Sequence, residues 1–146
     1  MKPIIVFGDR DLAEMAKFYF GDRVIGFTKH FPEKDVAFNL PMYEFTEIQS
    51  LFSIEEVEIF APMADNFTRK SIYDQVKSMG YTMPTFIHPT AHVWDTAAVG
   101  DNCFIQELNN IQYRTEVGNN VVMWAGNHIG HHGIIRDHVF VTSHVT

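Results

Sequence analysis

The sequence predicts two unlike halves: an α/β unit of Rossmann-like order over residues 1–84, then an all-β, left-handed parallel β-helix over residues 85–146. Two observations carry this reading. From Ile87 an apolar residue recurs at every sixth position, through Val93, Val99, Ile105, Ile111, Val117, Met123, Ile129, Ile135 and Val141. A period of six suits neither an amphipathic helix nor a simple alternating strand, but it suits a coil built from hexapeptides. Before Phe86 the pattern is different, with short apolar runs alternating with helical stripes.

The elements of the first half follow in order. Pro3 to Phe7 reads as a buried strand ending at Gly8. Asp11-Leu12-Ala13-Glu14 has the form of a capping box and opens a helix with Leu12, Met15, Ala16 and Tyr19 on one face. Arg23 to Phe27 reads as a second strand, Thr46 to Phe52 as a short helix, and Val57 to Ala61 as a third strand. Asn66 is placed to cap a longer helix whose stripe is Ile72, Val76 and Met79, and Gly80 stands where a left-handed C-terminal residue belongs. The boundary falls near Met83-Pro84.

In the second half, the position four after each register residue is Ala91, Ala97, Cys103, Asn109, Thr115, Val121, Asn127, Gly133, Val139 or Val145. These are small or β-branched apart from the two Asn, as expected where a triangular coil admits one medium aliphatic and one small side chain per face. Gly100-Asp101 and Gly118-Asn119 are eighteen residues apart, with Arg136-Asp137 next, so one corner turn is expected to stack coil on coil. His132, His138 and His144 are six apart, which puts them at one outward position on three different faces, where a single chain cannot chelate with them. The sixty residues from Ile87 make about three and a third coils at eighteen residues each. The stop inside a hexad leads to the expectation that this is a C-terminally truncated β-helix, inactive as it stands.

Composition narrows the function. The chain has 146 residues, 46% of them hydrophobic, and a formal charge of −7. No basic cluster is present to neutralise phosphates, so a nucleic-acid partner is excluded. One Cys rules out an intrachain disulfide framework. No apolar run approaches a membrane span and the N-terminus lacks a signal-peptide layout, so no membrane partner and a cytoplasmic location are expected. The first strand-to-helix turn has only Gly8 where a dinucleotide fingerprint needs three glycines, and Thr28-Lys29 ends the second strand where an acidic residue would bind a ribose. A nicotinamide cofactor is therefore not expected. Gly8, Asp9 and Arg10 are left as a polar pocket at the carboxyl ends of the strands.

A short Rossmann-like unit followed by hexapeptide coils resembles the bacterial sugar acyltransferases, among them sialic acid O-acetyltransferases and N-acetyltransferases of nucleotide-linked amino sugars. The residues carrying the resemblance are Ile4 to Gly8, Asn66-Phe67-Thr68-Arg69-Lys70, Phe86-Ile87-His88-Pro89-Thr90-Ala91, and Asn127-His128-Ile129-Gly130-His131-His132. The resemblance implies acyl transfer from acetyl-CoA to a sugar amine or hydroxyl, in a homotrimer with the cosubstrate in the groove between subunits. It implies that Gly8, Asp9, Arg10, Thr28, Lys29, Asn66 and Arg69 bind the sugar or nucleotide-sugar substrate, and that Asn127, His128, His132 and His144 serve acyl-CoA or the interface. No metal is implied. Matching the family's histidine segment onto His131-His132-Gly133-Ile134-Ile135-Arg136-Asp137 makes His131 the general base, since an imidazole can take the acceptor's proton and pass it to the leaving thiolate. The chain departs from the family in two places. His132 stands where many relatives have an acidic residue that orients the base, and Thr28-Lys29 stands where relatives that bind UDP often have an acidic pair. The γ-class carbonic anhydrases, which hold zinc with three histidines across a trimer interface of the same coil, provide an alternative: a zinc-dependent or non-catalytic β-helix protein. Fold alone does not choose between these.

Overall fold

A computed structural model describes residues Met1 to Thr146. The chain divides into two compact units, Met1–Met63 with Ser71–Pro84, and Ala64–Lys70 with Thr85–Thr146. No helix is long and apolar enough to cross a membrane.

The first unit contains β1 (Ile4–Phe7), α1 (Asp11–Phe20), β2 (Val24–Lys29), β3 (Val36–Ala37), β4 (Leu40–Glu44), α2 (Ile48–Leu51), β5 (Glu58–Phe60) and most of α3 (Asn66–Met79). Its sheet runs β3-β4-β2-β1-β5. β1 lies parallel between β2 and β5, and β2 lies parallel to β4. A strand flanked on both edges and covered on both faces must be apolar throughout, and all four residues of β1 are buried. Ile5, Phe7, Phe45, Ile48, Ile59 and Val76 belong to the core beside it.

Local details differ from the sequence reading for physical reasons. The capping box does not form. Arg10 occupies the N-cap of α1 without a side-chain hydrogen bond, and Asp11 is already the first helical residue, where with Glu14 it complements the helix dipole. The buried face is Leu12, Ala13 and Ala16, with Met15 and Tyr19 half-buried. In α3 the capping carboxylate is Asp65, whose Oδ2 accepts the Thr68 amide at 2.8 Å. Asn66 sits one residue inside and offers its Oδ1 to Arg69 at 2.7 Å. The β3–β4 hairpin was not foreseen. Its turn uses Phe38 and Asn39 at φ of 49° and 66° in place of the usual Asn-Gly signal, and Pro41 in β4 argues against a strand when read alone.

The second unit is a parallel β-helix of ten two-residue strands in three ladders. One ladder stacks β7 (His92–Val93), β10 (Asn110–Ile111) and β13 (His128–Ile129). Another stacks β8 (Ala98–Val99), β11 (Glu116–Val117) and β14 (Ile134–Ile135). The last stacks β6 (Phe86–Ile87), β9 (Phe104–Ile105), β12 (Val122–Met123) and β15 (Phe140–Val141). The six-residue register is the inward residue of each strand: Ile105, Ile111, Val117 and Met123 form the core with Cys103 and Val121. Burial pushes the Cys103 thiol up to about 11, consistent with a packing role.

The two inward Asn are explained by hydrogen bonding. Asn109 Oδ1 accepts the Asn127 amide at 3.1 Å, and Asn127 Oδ1 accepts the Val145 amide at 2.7 Å. Each carboxamide also donates to the Trp124 carbonyl at 2.8 Å. A buried polar side chain is thus satisfied coil by coil. The expected corner stack is present as well. A Cβ on Gly100 would lie 2.6 Å from the Gly118 carbonyl oxygen, so the corner needs glycine. Asn119 Oδ1 accepts the Asp101 amide at 3.0 Å, and Asp137 Oδ1 accepts the Asn119 amide at 2.8 Å.

A second six-residue phase accompanies the inward one. Asn102, Leu108, Arg114, Asn120, Gly126, His132, His138 and His144 all have positive φ, between 50° and 76°. They are corner residues in the left-handed region, where Asn and His are tolerated better than most side chains. This corrects the placement of His132, His138 and His144: they turn the chain between faces and do not lie on the faces.

Candidate functional site

In the first unit, Gly8 at φ 118° ends β1 and donates its amide to the Thr28 carbonyl at 2.8 Å. That pairing brings Asp9 beside the end of β2, where the Lys29 ammonium lies 3.3 Å from Asp9 and 3.3 Å from Glu33. Burial alone would lower the Lys29 ammonium, but its bonds to the two carboxylates outweigh it and hold it raised. A cavity of about 250 Å³ opens here, lined by Asp9, Glu33, Lys34, Phe38 and Met42 among others. The β3–β4 hairpin supplies part of this lining, and sequence reading missed it along with Glu33. Arg10 is exposed at the N-cap of α1.

Three residues read as ligand contacts turn inward instead. Thr28 is fully buried and its hydroxyl donates to the Tyr43 carbonyl at 3.0 Å. Asn127 belongs to the internal ladder of the β-helix. Arg69 has no exposed surface. Its Nε donates to the Asn120 carbonyl at 3.1 Å, its Nη1 to the Ala64 carbonyl at 3.2 Å, and its Nη2 to the His138 carbonyl at 2.9 Å and Asn66 Oδ1. The same guanidinium stands 5.9 Å from the Phe140 ring centroid, and burial lowers it to about 10. Asn66 is therefore committed to holding Arg69. The six-residue phase already places Asn127 inward, but nothing in a sequence read alone marks Thr28 and Arg69 as buried, because both types are usually exposed.

The histidines separate by environment. His128 is exposed at the start of β13, beside Asn110 in register. His144 is an exposed corner residue whose ring approaches Gly126, 2.8 Å from where a Cβ would be. His131 and His132 form the corner that follows β13, and both are exposed. Their Nδ1 atoms are 3.0 Å apart, with the rings perpendicular at 88° and 5.2 Å between centroids. The His132 amide donates to the Tyr113 carbonyl at 3.0 Å, and the Tyr113 ring meets the His132 ring edge-on at 5.8 Å. Sequence reading left open what would orient His131, and the side chain within hydrogen-bond distance of its ring is His132. An exposed imidazole held by one ring nitrogen has the other free for proton transfer.

No protein-family model matches the chain, and no curated protein matches it. Solved structures do. The chain superposes on the acetyltransferase domain of PglB from Neisseria gonorrhoeae FA1090 with a TM-score of 0.84 at 16% identity, covering 98% of this chain and 72% of that one. The two share a fold. The same domain in complex with acetyl coenzyme A gives a TM-score of 0.83 at 17% identity, over 95% and 69% of the two chains. A mutant GDP-perosamine N-acetyl transferase from Caulobacter crescentus, in complex with CoA and GDP-perosamine, gives 0.75 at 15% identity, over 94% and 64%. An α/β unit followed by a parallel β-helix is thus the architecture of these acetyltransferases and of this chain.

Proposed function

We propose that this protein transfers an acetyl group from acetyl-CoA to an amine or hydroxyl of a sugar, with the sugar nucleotide-linked and the enzyme a homotrimer. The observation that carries the reading is the exposed His131 imidazole on a β-helix whose fold matches that of a domain solved with acetyl coenzyme A. His131 Nε2 takes the proton of the attacking nitrogen or oxygen as its lone pair bonds to the thioester carbon. The resulting imidazolium then returns that proton to the sulfur as the carbon–sulfur bond breaks. Asp9, Lys29 and the cavity beside them form the acceptor pocket of the first unit, with Gly8 shaping the turn and Arg10 at its rim.

Thiol release from acetyl-CoA, measured with a panel of amino-sugar nucleotides, tests this. His131→Ala should lower kcat by about 10²–10⁴-fold, the usual contribution of a general base, with CoA binding and oligomeric state unchanged. Turnover retained in that variant removes His131 as the base.

A further inference from the structure

We propose that His132 is the positioning residue for His131, and that the two imidazoles act as one proton-holding pair; this rests on the acetyl-transfer reading of the same corner. A separation of 3.0 Å between two Nδ1 atoms is a hydrogen bond only if one of them carries hydrogen and the other a lone pair. The reaction selects which. When His131 has taken the acceptor's proton on Nε2, it bears hydrogen on both nitrogens, so its Nδ1–H must donate and His132 Nδ1 must accept. The resting arrangement that reaches this state without reorganisation has His131 as the Nδ1–H tautomer, its Nε2 lone pair directed away from the pair and available to substrate. His132 is then the Nε2–H tautomer.

The geometry holds His132 as a fixed partner. Its backbone is locked in the left-handed corner at φ 61°, its amide is tied to the Tyr113 carbonyl, and the Tyr113 ring braces its imidazole. Tyr113 meets the His132 ring from the coil beneath. Arg114 precedes His132 by one coil, in the same corner column, and its guanidinium stands 5.1 Å from the Tyr113 centroid. A neutral imidazole partner also behaves differently from a carboxylate. The pair keeps its hydrogen bond when it takes up one proton and loses it when it takes up two, because two imidazolium rings have no acceptor between them.

Long-range proton–nitrogen spectra of the ¹⁵N-histidine-labelled protein read the tautomers directly, without turnover. The expected result is Nδ1–H at His131 in the wild type, lost in His132→Gly, a variant free of left-handed backbone strain. The kcat of His132→Gly should fall by about 10–100-fold, the scale of losing an orienting partner, with KM for both substrates held. His132→Asn should restore most of kcat, since Asn tolerates the corner conformation and its Oδ1 can accept from Nδ1–H. His132→Glu should move the acid limb of the kcat/KM profile to higher pH, because a carboxylate favours the imidazolium. An Nε2–H tautomer at His131 in the wild type, or an unchanged kcat in His132→Gly, overturns the pair. Should the wild type show the Nδ1–H tautomer but no acetyl transfer to any acceptor, the pair stands and the acetyl-transfer reading falls.

Discussion

Two corner columns of the β-helix share one backbone conformation and one sequence phase, yet their side chains do opposite things. In the first, Asn102 Nδ2 donates to Asn120 Oδ1 at 2.8 Å, and Asn120 Nδ2 stands 2.8 Å from His138 Nδ1. Arg69 closes this column by donating to the carbonyls of Asn120 and His138. An Asn Nδ2 can only donate, so His138 Nδ1 must accept, and its ring is spent on structure. In the second column, Arg114 and His132 are exposed, and His132 meets another imidazole. The hexad period decides that both histidines turn a corner. What covers the corner decides whether a ring is a strut or is free to hold a proton.

Removing the cover is the most severe way to break this contrast. Arg69→Ala would leave the buried carbonyl of Asn120 and the part-buried carbonyl of His138 without their charged donor and would open a void against Phe140. Hydrogen bonds to charged groups contribute about 1.5–3 kcal/mol each and are not additive, so a loss of about 3–5 kcal/mol is expected. Urea unfolding should show a lower midpoint with an unchanged slope. Arg69→Met keeps much of the volume but none of the donors and should be nearly as damaging. A loss below about 1 kcal/mol in both variants would mean that the covered corner is no better fastened than the exposed one.

The contrast also marks how far the sequence could be read. The inward register from Ile87 to Val141 was legible because packing inside a narrow coil leaves few residue types acceptable, so physics writes a period into the chain. The left-handed register was written less clearly. Asn, His, Gly, Leu and Arg all occupy it, since the corner restricts the backbone more than the side chain. His131 could be singled out by resemblance, whereas the bond to His132 depends on two rotamers that no spacing specifies. Arg69 shows the opposite failure. A basic residue near a helix start reads as a ligand contact, and only the folded coil reveals that its partners are main-chain carbonyls some fifty and seventy residues away. The β3–β4 hairpin escaped because Pro41 and a Phe-Asn turn both argue against it locally.

A gentler test uses the corner residue least suited to its backbone. Leu108 has φ 60° and is 67% exposed, so it carries a conformational cost with little burial in return. Its amide donates to Thr90 Oγ1 at 3.1 Å, a bond that any residue but proline can make. Leu108→Asn should therefore stabilise the protein, by about 1 kcal/mol, through relief of left-handed strain in an L residue. The effect would appear as a raised thermal midpoint. Destabilisation would show that the exposed leucine is held by packing, and that the corner phase is set by side chains after all.

The smallest effect is a pH dependence at the point where the covered corner is delivered. The amide of Thr68, aided by its side chain, holds the Asp65 carboxyl below the usual aspartate range. The same residue's carbonyl accepts the Arg69 amide at 2.9 Å, so this cap begins the helical turn that carries the guanidinium. A carboxyl whose folded value is depressed contributes stability above its unfolded pKa of about 3.9, and that contribution disappears as pH falls through the lower folded value. Asp65→Asn keeps a capping oxygen but removes the titration. The variant should be slightly less stable than the wild type at pH 7, and the gap between their urea midpoints should shrink as pH is lowered through 4 towards 2. A gap that stays constant over that range would show that the Asp65 charge adds nothing to the cap, leaving the turn that presents Arg69 held by neutral hydrogen bonds and by the guanidinium's own contacts.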